Sequence, residues 1–192
     1  SRVTSAFSSI REFGLFIDGS FKTGGGTYLR PSIAITNGDG LNVYSPDFGG
    51  LKYGGRIDFL PFGTFVNMGQ YHQVDMMREL TLKLVFGVAY SVNEGMSSRR
   101  GRTSGDILYL DDKDEYSLPN YSKLGVDFIF KYKGFSAIGE FVSTTASVPT
   151  DITQRIRNDG STSTSFPVDG EDDVENYVKG RMMLGKGYNI QM

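Results

Sequence analysis

The sequence predicts an all-β protein that forms a transmembrane antiparallel β-barrel. Apolar and polar residues alternate with a period of two in window after window of the chain. The residues on the apolar phase of these windows carry no charge, whereas those on the opposite phase carry eleven charges. No stretch approaches the roughly 18 consecutive apolar residues that a membrane helix requires, because Gly, Ser, Lys or Asp interrupts every apolar run.

Six windows show the alternation clearly, and a seventh begins near the end of the sequence. Each is bounded by Gly, Asn, Asp or Pro, which favour turns. In the fourth window, Leu84 and Phe86 share one face of the predicted strand while Lys83 and Gly87 share the other. The windows span residues 13–22, 29–36, 52–59, 82–91, 123–132, 135–142 and 188–192.

The connections between windows alternate between short and long, as in barrels with short periplasmic turns and long outer loops. The short ones are a Gly-rich turn at 23–27 and a two-residue hairpin turn at 133–134. The link at 61–80 breaks this rule. Long polar loops are predicted at 37–50, 92–121 and 144–184, the last mostly flexible, and short helices are predicted around 74–80 and 171–179.

We expect residues 1–192 to form part of a single barrel domain, with no separate soluble domain. Bacterial single-chain barrels have an even number of antiparallel strands, and about seven are predicted here. Open edges within a bilayer would leave backbone groups unpaired at a cost of several kcal/mol each. The chain is therefore expected to be a fragment whose missing strands lie elsewhere in the same polypeptide or, as the alternative, are supplied by partner chains.

The composition argues against several function classes. The formal net charge of −2 gives no global attraction to nucleic acid. Cysteine is absent and His72 is the only histidine, so neither a catalytic triad nor a common zinc site is available. The acidic runs at 111–115 and 169–173 lack the ligand spacing of an EF-hand. We therefore expect no enzyme activity, no metal and no cofactor.

The polar phase supplies the candidate site residues, because it faces a water-filled lumen if the apolar phase faces lipid. The predicted anion-attracting residues are Lys22, Arg30, Lys52, Arg56, Lys83, Lys123 and Lys131. The predicted acidic lumen residues are Asp18, Asp58, Asp127 and Glu140. This basic excess predicts a mild preference for anions. Alternatively, pairs such as Arg56 with Asp58 only solvate the wall.

A second basic group lies in the long connection at 92–121. It consists of Arg99, Arg100 and Arg102. Guanidinium groups in such a cluster are suited to lipopolysaccharide phosphates. The alternative interpretation is ordinary solvation of the loop.

Several stretches, in the same order along the chain, resemble the phosphate-selective porin (O and P type) family of outer-membrane porins. They are Arg-Glu-Phe-Gly at 11–14, Thr-Asn-Gly-Asp-Gly at 36–40, the Gly-Arg strand ending in Pro-Phe-Gly at 55–63, and the later strands at 83–90, 130–140 and 185–191. The resemblance implies a sixteen-stranded barrel, homotrimeric, in the bacterial outer membrane. The phosphate-binding arginines of that family lie partly upstream of Ser1, so phosphate specificity does not follow.

These observations lead to three hypotheses about function. The first is a passive diffusion channel for small hydrophilic solutes, with a mild preference for phosphate-like anions and with outer-membrane lipid and lipopolysaccharide as its surroundings. The second is a porin-like barrel that serves as a structural or accessory subunit of a larger outer-membrane assembly, with the loops at 92–121 and 144–184 as docking surfaces. The third is a soluble carbohydrate-binding sandwich, whose strands would alternate in a similar way.

Overall fold

The computed structural model describes residues 12–38, 48–97, 108–157 and 159–192. Within these ranges a 3-10 segment lies at Val66–Tyr71 and a helix, α1, at Val174–Gly180. The strands are β1 (Gly14–Asp18), β2 (Phe21–Gly24), β3 (Thr27–Thr36), β4 (Lys52–Leu60), β5 (Lys83–Asn93), β6 (Tyr109–Leu110), β7 (Asn120–Tyr132), β8 (Phe135–Ser147), β9 (Gln154–Ile156), β10 (Thr162–Ser163), β11 (Pro167–Val168), β12 (Glu171–Asp172) and β13 (Gly185–Gln191).

Eight of the strands form one antiparallel sheet with the order β1-β3-β4-β5-β7-β8-β13, in which β2 also pairs with β3. β1 and β2 continue a single register along β3, and across the gap between them the amide of Gly19 donates to the carbonyl of Pro31 at 2.9 Å. The strand is interrupted at this point because proline has no N–H with which to return a hydrogen bond. The sheet is therefore a seven-position up-and-down meander.

The prediction of an all-β antiparallel fold is confirmed, and the seven alternating windows all lie in this sheet. The predicted two-residue hairpin is confirmed as well. Lys133 and Gly134 both have positive φ, 48° and 93°, as a type I′ turn between β7 and β8 requires. Over the described residues the sheet is open, and its two edges are β1–β2 and β13.

The register divides the side chains of the sheet between an apolar face and a polar face, because opposite residues in neighbouring strands project to the same side. Among the described residues of this sheet, Lys186 is the one charged residue on the apolar face. One row of the apolar face crosses every position of the meander: Phe21, Leu29, Phe59, Phe86, Phe128, Gly139 and Ile190.

Residues 61–82, here called the turn-end segment, fold back over the polar face at the end of the sheet that carries the short turns. Phe65 packs there against Leu60 and Val85. The helix predicted at 74–80 is wrong. The carboxylate of Asp75 accepts from the amide of Glu79 at 3.0 Å, and Arg78 has a positive φ of 49°, so side-chain bonds replace the helical ones.

At the opposite end, the connections after β5 and β8 fold together into a small cap, defined as residues 108–119, 148–157 and 159–184. Strand β9 pairs with both β6 and β10, and β11 pairs with β12. The core of the cap consists of Leu108, Tyr109, Leu118, Ile152, Phe166 and Val178. The prediction that these segments are loops, the second mostly flexible, is corrected, because single apolar residues from two separate connections combine into one core.

The helix predicted at 171–179 exists but is displaced toward the C-terminus. Glu171 and Asp172 pair with β11 instead of starting the helix. Asp173 then caps α1, since its carboxylate accepts from the amide of Asn176 at 2.9 Å. Among the described residues, neither α1 nor the 3-10 segment is long and apolar enough to span a bilayer as a helix.

Candidate functional site on the polar face

All eleven charged residues that the sequence assigns to the polar phase project from the polar face of the sheet. Three adjacent rows form the centre of this face. The first is Phe16, Ala34, Gly54, Ser91, Lys123 and Thr144; the second is Asp18, Ser32, Arg56, Ala89, Gly125 and Val142; the third includes Arg30, Asp58, Gly87, Asp127 and Glu140. Lys22, Lys52, Lys83 and Lys131 lie nearer the strand ends.

An ion-pair bridge centred on Arg56 joins β4 to β7 across β5. The guanidinium donates to both carboxylate oxygens of Asp127, at 2.7 and 2.8 Å. Its Nη2 atom also lies 2.7 Å from Oδ1 of Asp58, without hydrogen-bond alignment. Gly87 lies directly between the two carboxylates in the row. An added Cβ at Gly87 would meet Cζ of Arg56 at 2.8 Å, so the bridge depends on this glycine.

Another predicted cation, Lys52, forms an ion pair near the cap end of the sheet. Its ammonium donates to both carboxylate oxygens of Glu12, at 2.8 and 2.9 Å. The hydroxyl of Thr36 donates to the same carboxylate at 2.7 Å. Glu12 precedes the first alternating window and was therefore not among the predicted site residues.

Two further predicted cations hold the turn-end segment in place. Lys131 is only 1% exposed, and its ammonium donates to the carbonyls of Gly69 and Val74, each at 2.8 Å. Lys83 donates to the carbonyl of Phe62 at 2.8 Å. The carboxylate of Asp75 accepts from the amide of Gly134 at 2.7 Å and so ties the segment to the β7–β8 turn. These two lysines therefore bind backbone carbonyls instead of lining an open wall.

A concave depression of about 360 Å³ lies over the first two rows of the polar face. Its floor is made of small side chains, among them Ala34, Ser91 and Ala89. At Gly125 an added Cβ would meet no atom within 4 Å, so packing does not require glycine there and the space above it is open. Phe16 lies at the β1 end of the depression and is 59% exposed.

The cap contains a second concentration of cations. The guanidinium groups of Arg155 and Arg181 both donate to the phenolic oxygen of Tyr177, and both lie over its ring, 4.8 and 4.7 Å from the centroid. Tyr109 is buried beside them. Burial raises the pKa of Tyr109 above its ordinary value, while the positive charges of Arg181 and Arg155 act in the opposite direction.

Sequence reasoning placed the charges on the correct strand phase but missed the residues that organise them. Phe16 belongs to the polar phase and was not chosen because it carries no charge. Gly87 was missed because its role depends on side chains of the strands on either side of it. The arginine cluster of Arg99, Arg100 and Arg102 lies outside the described residues.

Comparison with protein-family models, with curated proteins and with solved structures finds no match for this chain. The class of protein that the fold and the polar face define is an antiparallel β-sheet protein with one apolar and one charged face. The porin resemblance of the sequence stays a prediction.

Proposed function

We propose that this sheet is part of a closed transmembrane barrel in a bacterial outer membrane, and that the barrel is a passive diffusion channel for small hydrophilic solutes. The observation that carries the proposal is the apolar face, whose large side chains are exposed or half-buried from β1 to β13. Ile17, Ile33, Ile57 and Tyr188 are all more than half exposed on it. An apolar surface of this extent suits contact with lipid and is rare on soluble monomers.

Strand length and loop placement support the same proposal. Strands β3, β4 and β5 contain 10, 9 and 11 residues, and a tilted strand of about 9–11 residues crosses a bilayer. The turns after β2 and β7 are short and lie at one end, whereas the cap lies at the other. A soluble sandwich would bury its apolar face against a second sheet, and the small sheets of this chain lie in the cap instead.

The charge arrangement favours weak ionic selectivity. Lys83 and Lys131 bind backbone carbonyls, Lys52 is paired with Glu12, and Arg56 is paired with two carboxylates. The ion pairs of Lys52 and Arg56 contribute little net field to a pore wall, and the ammonium of Lys131 is buried under the turn-end segment. We therefore propose that the preference for anions over cations is small, and that lipopolysaccharide contact and trimer assembly accompany insertion in the membrane.

Planar-bilayer recording tests the channel proposal. The protein, purified in detergent, is added to a phospholipid bilayer in potassium chloride, and we expect stepwise ohmic current increments with a reversal potential near zero under a salt gradient. Insertion without any current, shown by protease protection of the strands in liposomes, would contradict the proposal.

A second candidate function is a structural or accessory subunit of a larger outer-membrane assembly. The specific observation in its favour is the cap, which has its own buried core where a simple channel needs only loops. Stable co-purification of the protein with a larger membrane complex, and its loss when the cap is deleted, would support this function. Insertion without current would favour it over the channel.

A further inference from the structure

An exposed aromatic ring on the polar face has no structural explanation in the sheet. Phe16 projects to the same side as Asp18, Ser32 and Arg56, and yet it is 59% exposed. Other apolar side chains of this face, such as Val85, are covered by Phe65 of the turn-end segment. Phe16 lies in the opposite half of the sheet and forms one wall of the depression.

The groups around Phe16 offer unused hydrogen-bonding capacity. Asp18 lies two residues along the same strand face, and its carboxylate has no hydrogen-bond or ion-pair partner among the described residues. The hydroxyls of Ser32 and Ser91 line the same depression and likewise bond to no described protein group. An aromatic face beside one carboxylate and two hydroxyls provides an apolar platform with a few polar groups, which is the usual make-up of a small-molecule site.

The charges of this region do not favour an inorganic anion. In the three central rows the cations are Arg30, Arg56 and Lys123, and the anions are Asp18, Asp58, Asp127 and Glu140. Of these groups, Asp18, Arg56 and Lys123 line the depression itself. Arg56 is bound to two carboxylates of the third row, and Lys123 also has an interaction partner. A neutral solute meets no repulsion here, whereas a phosphate ion meets the carboxylate of Asp18.

The dimensions fit a ring-shaped solute. Phe16 and Lys123 are separated by four inter-strand steps of about 4.8 Å, or roughly 19 Å along the sheet. The small side chains between them keep the floor low, and the volume of about 360 Å³ lies at the lower end of ligand sites. The C–H groups of a sugar ring pack well on the electron-rich face of a phenyl ring, while its hydroxyls reach carboxylate and serine oxygens.

We propose that the depression binds a polyhydroxylated ring solute, such as a mono- or disaccharide, with one face of the sugar ring packed on Phe16. The proposal names the solute class of the proposed channel and rests on that function for how the solute arrives. Asp18 and the two serines orient the hydroxyls, and Gly125 keeps space for the ring.

Solute-induced block of the ionic current tests this site, with maltose as the ring solute and sorbitol as a linear polyol control. We expect maltose, but not sorbitol, to reduce the current in a saturable way. The Phe16→Ala variant should raise the half-blocking concentration about fivefold, whereas Phe16→Tyr, which keeps the ring, should change it less than about twofold. Gly125→Val, which fills the floor with a good strand former, should also weaken the block.

A binding measurement separates this proposal from the channel proposal. The chain contains no tryptophan, so Phe16→Trp introduces a single indole fluorophore into the depression of the detergent-solubilised protein. Saturable quenching or a blue shift with maltose would support the site even if no current is observed. Block that is insensitive to Phe16→Ala, or an indole signal of the Phe16→Trp variant that responds equally to maltose and sorbitol or only to inorganic phosphate, would overturn it.

Discussion

Substitution of Gly87 by alanine tests whether the Arg56 bridge depends on space above β5. The added Cβ would lie 2.8 Å from both Cζ of Arg56 and Oδ1 of Asp58, which is closer than real Cβ contacts occur. Because the guanidinium is the far end of a flexible side chain, it moves and the backbone stays. We expect the two hydrogen bonds to Asp127, at 2.7 and 2.8 Å, to break.

The expected cost follows from the kind of interaction that is lost. A bidentate charge-assisted pair is stronger than an ordinary surface ion pair, but Arg56 and Asp127 keep side-chain exposures of 36% and 29%. We therefore expect the free energy of unfolding to fall by about 1 kcal/mol. Urea unfolding in detergent, followed by tyrosine fluorescence, measures this difference.

Gly125→Ala is the matched control, because it is the same substitution on the same face where a Cβ meets nothing within 4 Å. It should be neutral or raise the stability by up to about 0.5 kcal/mol. In an Asp127→Asn background, Gly87→Ala should lose most of its effect, because the bond it breaks is already weakened. Equal effects of Gly87→Ala in both backgrounds would refute the reasoning.

Three other predictions concern the turn-end segment and the cap. Lys131→Met leaves the carbonyls of Gly69 and Val74 without their donor, so trypsin should cleave after Arg78 faster than in wild type. The control variant, Lys133→Met, removes an exposed ammonium that lies over the Tyr132 ring and should not change this cleavage rate. Phe166→Ala removes a side chain that is 2% exposed and should destabilise the cap by about 3 kcal/mol, so that hydrogen exchange rises in α1 and β9 but stays slow in β4 and β5. Hydrogen bonds from the amide and side chain of Asn176 hold the pKa of Asp173 below its ordinary value of 3.8. The stability that the Asp173 carboxylate gives the N-terminus of α1 is therefore present above that value and is lost as pH falls through the folded pKa. The amide NMR shift of Asn176 should titrate at that folded pKa, and Asp173→Asn should keep the helix and abolish the titration.

The strands were predictable because each carries its own signal. Alternation with a period of two is a local property, and the Lys133-Gly134 turn is also local, so the windows and the β7–β8 hairpin follow from the sequence. The assignment of charges to one face follows from the same period. The interruption between β1 and β2 was also predictable, because Pro31 lies within a predicted strand and cannot donate a backbone hydrogen bond to the neighbouring strand.

The cap and the turn-end segment were not predictable in this way because their contacts join distant residues. Tyr109 pairs with Arg155, and neither lies in a periodic window. The 74–80 region has helix-forming residues, but the bonds of Asp75, Glu79 and Lys131 override that local preference. For the candidate site, the charged residues were visible as a set, whereas Phe16 and the open space at Gly125 became evident only from the cross-strand rows.

Two paired strands of the cap lie on either side of the β7–β8 hairpin in the sequence, since β6 precedes the hairpin and its partner β9 follows it. A two-residue turn closes quickly because little chain entropy is lost, while the pairing of β6 with β9 needs a much larger loop to close. Once the hairpin has formed, the ends of its strands bring these two segments together. We therefore expect the hairpin to form before the cap, because β7 and β8 in their native register shorten the loop that the pairing of β6 with β9 must close.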